Sequence, residues 1–343
     1  MSHDDSPGMT STDTHFVDIH AVEAWDRWFR WRDAATLHDV TIDETWRRVA
    51  GAVSAAEPSD REAWANQFCD AFSSWRLLPD ERLLQAAGTS AAWSFEGALA
   101  AVLNIDAFVV LDPTPRLDIE ALAAAAGLAV RLLDDACMVA GCTTGAELRI
   151  GVVGVANALH SLGIRYASAE AQSTVRTLAA AISDGCLLAT SLLARDRGAR
   201  LQVDASRLQR YERLGISAQT RAAGTRFGLR HARLTHLSPQ PRLAQLANNV
   251  ADALHPLALP AGSRRASSLR RPPSAQDATT AQTEDLPSLV AQLELRAAMQ
   301  PWIDSPIDYP LLAHQPPDER ELASGRACAE RWGLPPPDWR LIA

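Results

Sequence analysis

The sequence predicts a mostly helical protein with a few short strands. Long stretches repeat apolar residues at helical spacing, several open on a side chain able to cap a helix, and one short continuous apolar run has strand length.

In chain order, residues 1–15 carry Ser, Thr, Asp, Gly and Pro without apolar spacing, and a disordered tail is expected. Trp25, Trp28 and Trp31 beside Asp26, Arg27 and Arg30 suit an amphipathic helix. Thr41–Glu57 begins with an N-cap residue and an acidic first turn, Asp43-Glu44, and ends before Pro58. Arg61–Trp75 places Trp64, Phe68, Phe72 and Trp75 at helical spacing. Seven of the ten tryptophans precede residue 94, so this aromatic cluster reads as core.

Phe108-Val109-Val110-Leu111, bounded by Asp112-Pro113, reads either as a short buried strand or as a helix end. Asp118 caps a helix through Val139, with Leu122, Ala125, Ala129, Leu132 and Leu133 on its buried side. Glu147–Leu162 reads as the clearest helix, on a stripe of Leu148, Val152, Val155, Leu159 and Leu162, with Gly163 as its left-handed cap. Gly151 and Gly154 inside it cost about 1 kcal/mol each, so close packing against them is expected. Ser168 opens a long helix that Gly198 stops after Arg197. Pro260–Asp285 lacks periodicity and reads as a linker or exposed insertion. The expected organisation is a tail (1–15), a helical N-terminal domain (16–90), a reduced barrel-like domain (91–259), a disordered linker (260–285) and a C-terminal helical appendage (286–343).

Composition narrows the chemistry. All 33 basic residues are arginine, which excludes a Schiff-base lysine, a lysine base and a P-loop lysine. Five scattered cysteines fit reduced thiols, and Met1–Asp5 is polar and acidic, so a cytoplasmic location is expected. No apolar run of membrane-spanning length occurs, and no membrane partner is expected. Cys137 and Cys142 have no second pair, and His160, His231, His236 and His255 follow no ligand spacing; small buried thiols and surface histidines are expected, with no metal site. Arg207, Arg210, Arg213, Arg221, Arg226, Arg230 and Arg233 form a basic run without regular aromatic interleaving. At a net charge of −8 it reads as a solvated face or an interface, not a nucleic-acid site. No nucleophile-elbow pattern supports a Ser-His-Asp triad.

Arg149–Ala171, RIGVVGVANALHSLGIRYASAEA, is similar to a recurring barrel segment of ribonucleotide reductase large subunits, especially the adenosylcobalamin-dependent class II enzymes. Further similarities follow in family order: Trp46–Ala50, Leu78–Thr89, Leu103–Val109, Ala129–Asp135, Leu229–Val250, Met299–Ser305 and Ala329–Leu334. The resemblance implies a reduced remnant of the reductase α/β barrel, with adenosylcobalamin as the family's cofactor.

The departures bear on activity. The family uses a thiyl radical on a barrel cysteine, a nearby glutamate and asparagine, and a reducing cysteine pair. Ser90–Val102, where the family places much of its barrel, holds no cysteine, and Glu96 is its only acid. The Thr-Gly-Thr cradle for substrate phosphate is replaced by Gln240-Pro241-Arg242, and Pro241 lacks an N–H. Thr235, Ser238 and Pro239 are what remains of the phosphate loop by this resemblance. The family's Ser-Lys-Thr is also missing, since Ile307 leads into Asp308-Tyr309-Pro310, and the terminal cysteine pair has no counterpart before Ala343.

No catalytic residue is therefore assigned. The expected function is a non-catalytic binding or regulatory paralogue, its partner a full-length ribonucleotide reductase or a second copy of itself. The alternatives are a truncated reductase, active alone or when complemented, and a module that keeps a nucleotide site.

Overall fold

The computed structural model describes residues 14–93, 95–142, 147–257 and 286–342. The linker expected at 260–285 lies outside the described residues, as does the expected tail apart from Thr14 and His15. Thr14 donates through its N–H and hydroxyl to Asp43, and the His15 carbonyl accepts from Trp75 Nε1 at 3.1 Å.

Helix α1 (Ile19–Ala24) runs into a π-helical turn, Trp25–Phe29, and Trp31 lies beyond it, stacked on His38 with ring centroids 3.9 Å apart. Helix α2 (Ile42–Val53) opens with a reciprocal capping box between Thr41 and Glu44. It packs on α3 (Arg61–Ser73) around Trp46, which meets Trp75 edge-on at 5.8 Å and Phe72 at 5.5 Å. The aromatic cluster is core, as the spacing predicts.

Strand β1 (Leu77–Pro79) leads through α4 (Glu81–Ala86) into β2 (Ala100–Asn104). A small pair, β3 (Val109–Val110) and β4 (Arg116–Leu117), precedes α5 (Ile119–Val139). The run at Phe108–Leu111 is thus a 3-10 turn ending in a strand. The Asp118 carboxylate caps α5 by accepting from Ala121 N at 3.0 Å. Next come β5 (Glu147–Val153), α6 (Val155–Ser161) and the 29-residue α7 (Ala169–Arg197), capped by Ser168. Then α8 (Ala205–Arg213) and α9 (Ala218–Phe227) lead to β6 (Arg233–Thr235) and α10 (Pro241–Leu246).

The main sheet has the order β1-β2-β5-β6. β1 is antiparallel to β2, while β2–β5 and β5–β6 are parallel. Helices α5 and α7 pack tightly on each other, and α5 lies against β1, β2 and β5. Of the described residues 54% are helical, and no sheet closes into a barrel among them, so the helical expectation stands. A barrel that does not close must cover its strand edges. β1 covers one side of the parallel strands, and Asp304 covers the other.

Glu147–Leu162 corrects the sequence reading. It is not one helix: β5 occupies its first half, Gly154 turns left-handed at φ 72°, and α6 fills the rest. Burial alternates over Glu147–Ile150 and is continuous from there to Val153, as befits a strand with parallel neighbours on both sides. The glycines are closely packed, for a different reason than a helix crossing. A Cβ on Gly151 would come within 3.0 Å of the His236 carbonyl, and one on Gly154 would overlap Asn104 Oδ1. Gly163 is left-handed just after α6, as expected.

After the undescribed segment, α11 (Leu289–Met299), β7 (Leu311–Ala313), α12 (Glu319–Trp332) and β8 (Trp339–Leu341) form a small unit. β7 and β8 are parallel, and Leu289, Leu293, Leu311, Ala329 and Leu334 make a second core. The Gln292 side chain saturates the other edge of β7, donating to Leu312 O and accepting from Leu312 N.

Candidate functional site

In open parallel sheets, chemistry gathers beyond the carboxyl ends of the strands. Here β2 ends at Asn104, β5 at Val153-Gly154 and β6 at Thr235-His236. Asn104 is buried and its Oδ1 has no hydrogen-bond partner among the described residues. None of these ends carries a cysteine.

Of the residues expected as a phosphate-loop remnant, Thr235 ends β6 while Ser238 and Pro239 follow it, and only Thr235 lines a cavity. Ser238 Oγ accepts only a long 3.4 Å bond from Gln240 Nε2. Pro239 offers no side-chain donor. Where a phosphate cradle would present amides, Gln240 N donates to Asp252 Oδ1 at 2.7 Å, and Pro241 opens α10 without an N–H. Asp252, whose carboxyl takes that amide, also pairs through its backbone with Val153 at the end of β5. Burial pushes that carboxyl up to about 6. Nothing in the sequence pattern marked Asp252 for this position.

Thr235 is engaged differently. Asp304 Oδ2 accepts from Leu234 N at 2.8 Å, from Thr235 N at 3.2 Å and from Thr235 Oγ1 at 3.3 Å. Asp304 N donates back to Thr235 Oγ1 at 2.9 Å. One carboxylate thus takes the place of a neighbouring strand.

Thr235 and Asp304 also border a cavity of about 60 Å³, closed by Arg207, Tyr211, His231 and Trp302. Ligand pockets usually measure about 300–1,000 Å³, so this one suits a few waters or a very small ligand. It would not hold a nucleotide.

Behind the cavity lies a buried ionic cluster joining α5, α7, Glu57 and the segment before β6. Glu57 accepts from Arg131 Nε at 2.7 Å and Arg197 Nη2 at 2.8 Å. Arg197 also reaches Asp134 at 2.5 Å and Asp135 at 2.6 Å. Arg230 Nε donates to Asp134 Oδ1 at 2.7 Å, and Arg131 lies 3.7 Å over the Trp64 ring. Burial works against the Asp134 carboxylate, but His231, Arg230 and Arg197 hold it well below the usual range. Glu57 is lowered despite its burial, chiefly by Arg131. Asp135 goes the other way: burial and the neighbouring Glu57 push it up to about 7.

His231 and His255 are buried, which corrects the expectation of surface histidines. Burial lowers His231 despite Asp134, and pushes His255 down to about 4. Thr190 Oγ1 accepts from the backbone N–H of Arg230 and of His231, leaving its own hydrogen to point at His231 Nδ1, 3.0 Å away. His231 Nε2–H then donates to Asp134 Oδ1 at 3.1 Å. Thr190, His231 and Asp134 therefore stand in the order of a hydrolase triad. However, Thr190 is wholly buried and its oxygen is saturated by amides, so the relay is structural. The sequence signal was present but weak: an Asp134-Asp135 doublet inside an apolar helix and Arg230-His231 just before a strand.

Burial raises the thiols of Cys69, to about 11, and Cys137, to about 12, and those of Cys186 and Cys328 as well. No group of three His, Cys, Asp or Glu residues that could hold a metal exists among the described residues. The strand ends do not fit the radical chemistry that the class II resemblance implies for adenosylcobalamin. A cysteine-borne radical needs sulfur there, and Asn104, Gly154 and Thr235 supply none.

A comparison with curated proteins gives no match. A comparison with protein families matches residues 98–283 to "Ribonucleotide reductase, barrel domain". That span is more than half of the chain and runs from just before β2 through β6 and α10. The chain belongs to the ribonucleotide reductase barrel-domain family.

Proposed function

We propose that this chain is a non-catalytic paralogue of the class II reductases that acts by binding and regulating a full-length ribonucleotide reductase. One observation supports the reading: Asp252 accepts the Gln240 amide, in the segment where the resemblance would put the family's cradle for substrate phosphate. A carboxyl there competes for the donors a phosphate needs, and any charge on it repels one. The strand ends without cysteine agree with the same reading. Losing one member of a catalytic unit is often as damaging as losing all of them.

The test has two arms. The purified chain is assayed for deoxyribonucleotide formation with adenosylcobalamin and a thiol reductant, and no turnover is expected. It is then mixed with the reductase of its host, where co-elution and a changed reductase turnover are expected. Turnover in the first arm would establish instead an active or complemented reductase, and the absence of both effects in the second would remove the partner.

A further inference from the structure

The C-terminal turn of α5 brings two thiols together. Ala140 is the last helical cap, Gly141 turns left-handed at φ 65°, and Cys142 N donates to Cys137 O at 2.9 Å. This six-to-one bond defines a Schellman motif, in which the side chains at the two ends of the bond meet, as a rule through an apolar contact. Here both are cysteines, and the neighbouring Cys142 adds to burial in raising the Cys137 thiol. Both are free thiols.

Their surroundings differ. Cys137 is buried, while Cys142 is half-exposed on a turn where Met138 and Val139 also face solvent. Arg82 lies within electrostatic reach of both sulfurs, though its guanidinium is paired with Asp80 at 2.7 Å. Asp134 and Arg200 act on Cys137 from the helix and from the segment after α7.

We propose that Cys137 and Cys142 form a dithiol modification site that a low-molecular-weight disulfide converts to an intramolecular disulfide. The accessible Cys142 thiolate attacks one sulfur of the reagent, and the other sulfur leaves as a thiolate that takes up a proton. Cys137 then loses its proton and attacks the Cys142 sulfur of the mixed disulfide, expelling the second thiol. The protein loses two electrons and two protons, and the reagent is reduced to two thiols. Disulfide bonding requires the two α-carbons to lie roughly 4.4–6.8 Å apart, a span that residues joined across one helical turn can meet. The assignment uses neither the strand ends nor the proposed partner.

The test treats the folded, reduced chain with oxidised glutathione and maps its peptides by mass spectrometry. The expected product has lost two hydrogens, has two fewer alkylatable thiols, and yields a linked peptide joining Cys137 to Cys142. Cys137→Ser should instead keep a glutathionyl group on Cys142, and Cys142→Ser should leave Cys137 unmodified. A mixed disulfide persisting on the unaltered chain, a link between other cysteines, or no reaction at all would overturn the proposal. So would an unmodified Cys142 in C137S.

Discussion

The Asp304 carboxylate caps the edge of the central sheet by binding Thr235 on both its amide and its hydroxyl, while its own amide donates back to that hydroxyl. A barrel would satisfy these groups with the next strand. In this chain a single residue after α11 does so, which explains how three parallel strands persist without closure.

Asp304→Ala should therefore cost about 1–3 kcal/mol, since it leaves the Leu234 and Thr235 amides without their acceptor. Asp304→Asn keeps one acceptor oxygen and should cost less. Urea unfolding of the two variants decides this. An alanine variant as stable as the original would mean that water replaces the carboxylate at no cost.

The α5–α7 crossing depends on Gly185. A Cβ there would overlap the carbonyl of Ala123, and Gly127 faces Gly185 from the opposite helix. Gly185→Ala should destabilise by about 1–3 kcal/mol or more, against the usual gain of alanine in a helix. Gly51, inside α2, has nothing within 4 Å of the same added atom. Gly51→Ala should stabilise by roughly 0.5–1 kcal/mol. Thermal unfolding of the pair gives opposite signs if packing, not helix propensity, governs the crossing.

Elements with a local signal were legible. Thr41, Asp118 and Ser168 each cap the helix their position predicts, and Gly198 stops α7 where expected. Glu147–Leu162 was not, because Leu148, Val152, Val155 and Leu159 satisfy a helical period by chance. A strand between two parallel neighbours is buried on both faces and loses the alternation that would mark it. The site suffered from the same locality. Asp252 lies 12 residues from Gln240, Asp304 lies 69 from Thr235 and Asp134 lies 97 from His231, and no spacing rule joins any of these pairs.

Asp134 is the centre of the buried cluster, accepting from Arg197, Arg230 and His231. Removing one partner of a buried ion pair commonly costs about 3–5 kcal/mol, because a charge is left uncompensated. Asp134→Ala should fall in that range. The exposed Arg233–Glu147 pair, 3.6 Å apart, should contribute within about 0–1 kcal/mol. Denaturant titration of D134A and E147A separates the two. Equal effects would show that the buried cluster is no more than surface electrostatics.

Asp135 and Glu57 predict an unusual pH response. An unfolded aspartate titrates near about 3.9, whereas burial beside Glu57 pushes folded Asp135 up to about 7. Between these values the folded chain holds a proton that the unfolded chain has lost. Stability from this group is therefore complete below the unfolded value and declines as pH rises through the folded one. Asp134 and Glu57, with lowered values, act oppositely and lose their contribution only in acid. Burial also pushes His255 down to about 4, so its stabilisation disappears on acidification. The net curve mixes these signs, and the isolating comparison is Asp135→Asn, which keeps the shape and removes the titration. Relative to D135N, the unaltered chain should lose stability steadily as pH rises from about 4 to about 7. Urea midpoints measured across that range check it: parallel curves would mean that Asp135 is already ionised in the folded protein.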